Sequence, residues 1–151
     1  MKVEERFIRQ AIELARQARA KGNHPFGSLL VIDDEVVLTA ENTVNTESNP
    51  TGHAETNLVQ KAIRELAEEV RQQATLYTST EPCAMCTGAI YWAGIRKVVY
   101  ALSGEELAKQ AGERLRISCR IIFASAVDEV EVAGPFLTSE ALAVHQGFWT
   151  S

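Results

Sequence analysis

Two short stretches of this chain carry residue types that together can hold a metal ion and move a proton: His53-Ala54-Glu55 and Pro82-Cys83-Ala84-Met85-Cys86. Two thiols separated by two residues, just after a proline that ends a strand, can turn toward one point from the first turn of a helix. Two thiolates and one imidazole give three protein ligands and leave a fourth tetrahedral position open, which is the catalytic rather than the structural arrangement of zinc. His53, Cys83 and Cys86 are therefore the expected zinc ligands, with water in the fourth position. Two thiolates and a neutral imidazole cancel the charge of the ion, so the water is acidified less than in an all-histidine shell and needs a base beside it. Glu55 suits that role. Side chains two apart on a helix do not share a face, so Glu55 is not expected to chelate the ion with His53. It is free to act as general base and then as general acid.

Plainer readings exist for each of these residues. A lone C-x-x-C can be a thioredoxin-like redox pair or one half of a structural zinc site. The redox pair is expected after the first strand of a chain, whereas this motif follows the third and has a His-x-Glu upstream, which favours catalytic zinc. His24 and His145 stand alone, so surface or packing roles are expected of them. Cys119, in the company of Ile121 and Ile122, reads as a small buried hydrophobe. Glu81 is either a solvated charge or, through its place before Pro82, a backbone carbonyl at the rim of the site.

The elements that must position these residues follow from apolar spacing. Val3, Phe7, Ile8, Ala11, Ile12, Ala15 and Ala18 share one helical face, and Gly22-Asn23 supplies the stop. Residues 28–32 and 36–40 flank Asp33-Asp34-Glu35 and read as a hairpin. Residues 41–52 are rich in Asn, Thr and Ser and are expected to form an ordered surface loop that delivers His53. Leu58, Ala62, Ile63, Leu66 and Val70 predict a helix over 54–70 with His53 at its start. Residues 74–79 have strand character, residues 83–92 form a buried helix closed by Gly94, and residues 97–102 form another strand. Beyond these, 105–111 looks helical, 118–125 is ambiguous, 130–132 is a short strand and 139–146 a last helix. Strands and helices alternate, so the expected fold is a three-layer α/β/α sandwich around one mixed sheet. Both halves of the site arrive at helix N-termini, where unpaired N–H groups and the helix dipole lower the thiol pKa of Cys83 and Cys86.

With 151 residues the chain has the size of one domain, expected over 1–151, able to bury a core without disulfides. Its three cysteines, two of them in one C-x-x-C, suit a reducing compartment and a metal. No apolar run is long enough to cross a bilayer and the first residues do not read as a signal peptide, so no membrane role and a cytoplasmic location are expected. The net charge of −5 argues against a large phosphate-binding surface, so nucleic acid is not the expected partner, although a local basic patch is compatible with it.

The paired motifs resemble those of the cytidine deaminase superfamily. Within it, Pro25-Phe26-Gly27, Asn42-Thr43-Val44-Asn45-Thr46, Pro50-Thr51, Glu81-Pro82-Cys83 and Gly88-Ala89-Ile90-Tyr91-Trp92 are most similar to bacterial guanine deaminases and related free-base deaminases. The resemblance implies a five-stranded sheet with helices on both faces, one zinc per subunit and a homodimer. It implies that Asn42 hydrogen-bonds the substrate, that His53 stacks beside the ring while ligating zinc, that the Ala54 N–H contacts a ring oxygen and that Phe26 lines the pocket. Glu81 and Trp149 complete the expected substrate-binding set. The last third departs from guanine deaminases. Phe148 and Trp149 form either an aromatic lid, as C-terminal aromatics do in relatives that deaminate cytosine, or a packing contact for the last helix. The expected function is zinc-dependent hydrolytic deamination of a small nucleobase or nucleoside, guanine before cytosine or a related aminopyrimidine. A tRNA-specific adenosine deaminase and a non-catalytic zinc-binding protein are the alternatives; no basic tail supports the first, and Glu55 speaks against the second.

Overall fold

Unbroken burial along the central strands decides the architecture. In a computed structural model that describes residues 1–150, Leu76, Val98 and Tyr100 point to one face of the sheet while Tyr77, Val99 and Ala101 point to the other, and all are buried. A sheet buried on both faces must be covered on both. Helix α1 (Glu5–Ala20) and the short α7 (Thr138–Ala143) cover one side. Helices α2 (Ala54–Glu65), α4 (Ala84–Trp92) and α6 (Cys119–Ala124) cover the other. Strands β1 (Gly27–Ile32), β2 (Glu35–Glu41), β3 (Thr75–Thr80), β4 (Lys97–Leu102) and β5 (Glu131–Ala133) lie in the order β2-β1-β3-β4-β5. The sheet is mixed: β1 is antiparallel to β2 and β3, whereas β3, β4 and β5 run parallel. This is the expected three-layer, five-stranded fold.

Local chemistry explains the joints. Asp33 and Asp34, both at positive φ (52° and 60°), make the two-residue primed turn that matches the twist of a hairpin, so β2 starts at Glu35 and the turn is one residue shorter than the sequence suggests. Helix α1 ends where Gly22, at φ +95°, leaves the helical region. The next residue, Asn23, is buried and accepts hydrogen bonds on Oδ1 from the backbone N–H groups of Asn45 (3.1 Å) and Thr46 (3.0 Å). The end of the first helix thus pins the loop between β2 and α2. Its far end is closed by Thr43 N–H donating to the Gly52 carbonyl (2.9 Å) and by Asn57 Nδ2 donating to the Glu41 carbonyl (2.9 Å). His53 is delivered by an ordered loop, as its composition suggests.

The helix expected over 54–70 is broken. Leu66 adopts an extended conformation (φ −127°, ψ 134°), and a separate turn, α3 (Glu68–Arg71), follows. Arg71 holds the break open, donating from Nη1 to the Leu66 carbonyl and from Nε to the Ala93 carbonyl. The apolar period runs across this break in the sequence, but Ile63 and Val70 do not reach the core; they are 52% and 38% exposed. The ambiguous stretch before Ser125 is helix α6, and the 105–111 segment is α5 (Gly104–Ala111), capped by Ser103 Oγ, which accepts from Glu106 N–H. The last helix is shorter than expected, ending at Ala143. No helix among the described residues is long and apolar enough to cross a membrane.

Candidate metal centre and active site

Helices α2 and α4 pack on each other through Leu58, Ala62 and Ile90 and bring their N-termini to one place at the end of the central strand β3. His53 is the N-cap of α2 and Cys83 the N-cap of α4, both in extended backbone conformations that aim the side chain ahead of the helix. Cys86 follows one turn later and is fully buried. The Cys83 carbonyl is held by Thr87, which donates to it from both N–H and Oγ (2.8 Å each).

His53 Nδ1 lies 3.6 Å from the sulfur of Cys83 and 3.6 Å from that of Cys86, and the three donor atoms fall within 4.8 Å of one another. This spacing can be tested against the ion. Zinc–sulfur and zinc–nitrogen bonds of about 2.3 and 2.0 Å at a tetrahedral angle separate N from S by about 3.5 Å. The donors are already spaced for zinc. Hydrogen bonding from Cys86, opposed by burial and assisted by His53, pulls the Cys83 thiol down to about 4, while the Cys86 thiol is pushed up by its bond to Cys83 and by burial. An ion at the centre would take both sulfurs as thiolates.

Glu55 sits one step into α2, buried, in the wall of the same cavity as His53 and Cys83. Burial, followed by the nearby Cys83 thiolate, raises its carboxyl to about 7 against the opposing pull of backbone N–H and His53. A carboxylate poised near neutrality beside a metal site can exchange protons in both directions.

The cavity has a volume of about 730 Å³. Phe26, Asn42, Glu81 and Trp149, all expected from the sequence, line it with His53, Glu55 and Cys83. Asn42 is buried and its Oδ1 accepts the backbone N–H groups of Val44 (3.0 Å) and His24 (3.3 Å), so its amide N–H₂ is the end left to a ligand. Ala54 is not in the wall; its side chain is buried, and only its N–H, without a partner inside the helix, remains as a donor. The carboxylate of Glu81 is turned to the protein: Oε1 accepts Gly104 N–H (2.9 Å), and Oε2 accepts Ser118 Oγ–H (2.9 Å) and Cys119 N–H (3.0 Å). Burial pushes its pKa up, but these bonds outweigh it and the carboxyl stays below its ordinary value. Cys119 is buried, as its neighbours suggest.

Sequence reasoning missed much of the wall. His24 lines the cavity, edge-on to Phe148 (5.7 Å between ring centroids) and Trp149 (5.5 Å), and its pKa is lowered by burial, then by His53 and Arg114. Its only signal was its place beside Pro25-Phe26. The segment from Gly104 to Ser118 forms another wall, foreshadowed only by the apolar face Leu107, Ala108 and Ala111 of α5. His145 is buried behind Trp149, where nothing local in the sequence places it.

Residues 1–102 match the family described as cytidine and deoxycytidylate deaminase zinc-binding region. The chain belongs to that family. It is 44% identical over 152 residues to a probable cytosine deaminase of Schizosaccharomyces pombe, covering 95% of this chain and 90% of the relative. It is 39% identical over 106 residues to a guanine deaminase of Bacillus subtilis, covering 70% of this chain and 68% of the relative. Among solved structures, a chain from work on A-to-I editing by tRNA:A34 deaminases superposes with a TM-score of 0.76 at 27% identity, covering 93% of this chain and 99% of that one. The protein is thus a zinc-dependent deaminase, a hydrolase of C–N bonds, and His53, Cys83 and Cys86 fit its metal.

Replacing Cys83 or Cys86 by alanine should lower both zinc content and thermal stability, because the ion joins two helix starts. Metal analysis of the purified variants tests this. Full zinc occupancy in either one contradicts the ligand set.

Proposed function

We propose that this deaminase acts on a free aminated base, an aminopyrimidine such as cytosine first and guanine second, with Glu55 as its proton carrier. The observation that carries the reading is the aromatic cap. Phe148 and Trp149, at the end of the chain's described part, pack on His24 and Phe26 at the wall of the metal-bearing cavity. The similarity to the probable cytosine deaminase extends over nearly the whole chain, whereas that to the guanine deaminase spans 106 residues. This exchanges the order of substrates expected from the sequence, in which loop motifs near Phe26 and Asn42 placed guanine first.

When bound at His53, Cys83 and Cys86, zinc supplies Lewis acidity that makes water a nucleophile at neutral pH. Glu55 would carry two protons in turn, the first from the attacking water to the ring nitrogen and the second from the hydroxyl left on the ring carbon to the amine, which departs as ammonia while the carbonyl forms. Burial aids both halves of the cycle, since it makes the neutral carboxyl nearly as stable as the charged one. Asn42, locked by its two backbone contacts, presents its amide N–H₂ to a ring carbonyl, which both candidate bases possess. The Ala54 N–H at the start of α2 and the Glu81 backbone at the rim complete the polar frame, and a base lacking a partnered group should be rejected strongly. Aromatic faces of Phe26 and Trp149 supply the apolar contacts a flat ring requires.

Glu55→Gln keeps the shape and removes the base. Turnover should fall by roughly a hundredfold to ten-thousandfold with zinc retained. In the wild type the base works ionised, so kcat/KM should be lost as pH falls through the Glu55 pKa. That pKa is about 7 before the metal's charge acts on it. The bound cation draws it lower, so the acid limb belongs at or below neutrality, and it should be missing from the residual activity of Glu55→Gln. A normal rate for that variant rules this assignment out.

The substrate choice is tested by steady-state deamination of cytosine, guanine and an adenosine-bearing tRNA anticodon stem at equal concentrations. Cytosine should be turned over best. The tRNA would have to dock on a protein of net charge −5. Efficient turnover of the tRNA with neither free base would reverse the reading.

A homodimer is part of the same proposal. Helix α4 buries Ile90 but leaves Trp92 84% exposed, and Ile63 of α2 is also open, more apolar surface than these helices need within one subunit. A second copy of this chain is the proposed cover. Sedimentation at low concentration should give twice the chain mass, and a stable species of 16.6 kDa refutes the dimer.

A further inference from the structure

The segment that lays Phe148 and Trp149 against the cavity is held by two residues that do not line it. Arg19, in the last turn of α1, donates from Nη1 to the carbonyl oxygens of Val144 (3.0 Å) and Gln146 (2.7 Å), and its guanidinium carbon lies 5.5 Å from the centre of the Phe148 ring. His145 is only 1% exposed. Its Nδ1 accepts the indole N–H of Trp149 at 3.0 Å, the two rings being nearly parallel at 14°. Phe26, itself a cavity residue, stands edge-on to His145 at 5.3 Å.

The tautomer follows from the contact. An indole N–H can only donate, so Nδ1 must be bare, and the proton of the neutral ring must sit on Nε2. That Nε2–H is buried and has no hydrogen-bond partner among the described residues. A buried donor without a partner destabilises a fold, and a phenylalanine would fill the same space without one. Burial, then the charge of Arg19, pushes the His145 pKa down to about 4, so the neutral, accepting form prevails at neutral pH. The ring of a histidine that is costly to bury makes one hydrogen bond among the described residues, and that bond is to the aromatic cap.

We propose that His145 is a positioning residue that fixes the Trp149 indole over the cavity and thereby sets affinity for the base rather than the rate of bond cleavage. The proposal rests on the reading of this cavity as the base site. Arg19 acts on the same cap from the other side, by tying the two carbonyls that flank His145.

The chain has two tryptophans, so Trp92→Phe leaves Trp149 as a single emitter. In that background His145→Phe should expose Trp149 to acrylamide quenching; in the otherwise unchanged chain it should retain zinc and thermal stability and raise KM about tenfold with kcat within about a factor of two. His145→Asn places an amide oxygen near the position of Nδ1 and should restore both quenching and KM toward wild type. Trp149→Phe, which keeps a ring and removes the donor, should raise KM to the same extent, and combining it with His145→Phe should add nothing. The proposal is overturned by wild-type quenching and KM in His145→Phe, by His145→Asn behaving as His145→Phe does, or by a loss confined to kcat. Should His145→Phe fail to fold, an unchanged KM in Trp149→Phe overturns it. A wild-type protein that deaminates no free base removes the functional reading, and the quenching series then decides the His145–Trp149 link by itself.

Discussion

Three donor atoms from segments thirty residues apart must lie within bonding distance of one ion, and most of the fold's awkward features serve that requirement. The ligands sit at the first residues of two helices, so those helices must begin side by side. Strand β3, which leads into the Cys83 loop, is central in the sheet, and β2, which leads into the His53 loop, is at the edge. Because β1 separates them, the loop after β2 has to travel back along the sheet's end before α2 can start. That detour is residues 42–53, and it is tied at the start by Asn23 and at the close by Thr43 and Asn57. A flexible detour would deliver an imidazole of uncertain position. The chain therefore sets the side-chain oxygens of two buried asparagines, Asn23 and Asn42, against backbone N–H groups of this loop.

The same constraint orders the charges. Two thiolates and a carboxylate buried within one small region repel one another, and two helix N-termini do not offset three negative charges. Burial first, and then the Cys83 thiolate, keeps the Glu55 carboxyl raised. With metal the thiolates are balanced and Glu55 becomes the group whose charge is least settled. A carboxyl in that state gives and takes a proton at small cost, so the pKa that suits catalysis follows from the packing that builds the metal site.

What could be read from the sequence divides along physical lines. His53, Glu55, Cys83 and Cys86 were legible because motif spacing and helix starts are local. The five strands were legible because each is a short run of apolar and β-branched residues bounded by polar or turn residues. The break after Glu65 was not, since it depends on Arg71 reaching the Leu66 and Ala93 carbonyls. Nor was the fate of the Glu81 carboxylate, whose partners Gly104, Ser118 and Cys119 are 23 to 38 residues away. The ambiguity of 118–125 has the same origin: α6 starts at Ser118 and Cys119, which that carboxylate gathers.

Glu81 also shows how shared chemistry and individual specificity meet in this chain. The family match ends at residue 102 and contains every proposed metal ligand and proton carrier. Two further walls of the cavity, the 104–118 segment and the aromatic cap, lie beyond it. They are attached to the matched part by few bonds: Glu81 holds the first at both of its ends, and Arg19 holds the second. Such walls can change shape with little effect on the metal, because, the Ser118 hydroxyl apart, their anchors touch them through backbone N–H and carbonyl groups that any sequence provides. The consequence for this protein is that discrimination between a pyrimidine and a purine should be sought in residues 104–118 and 145–149, and not around zinc.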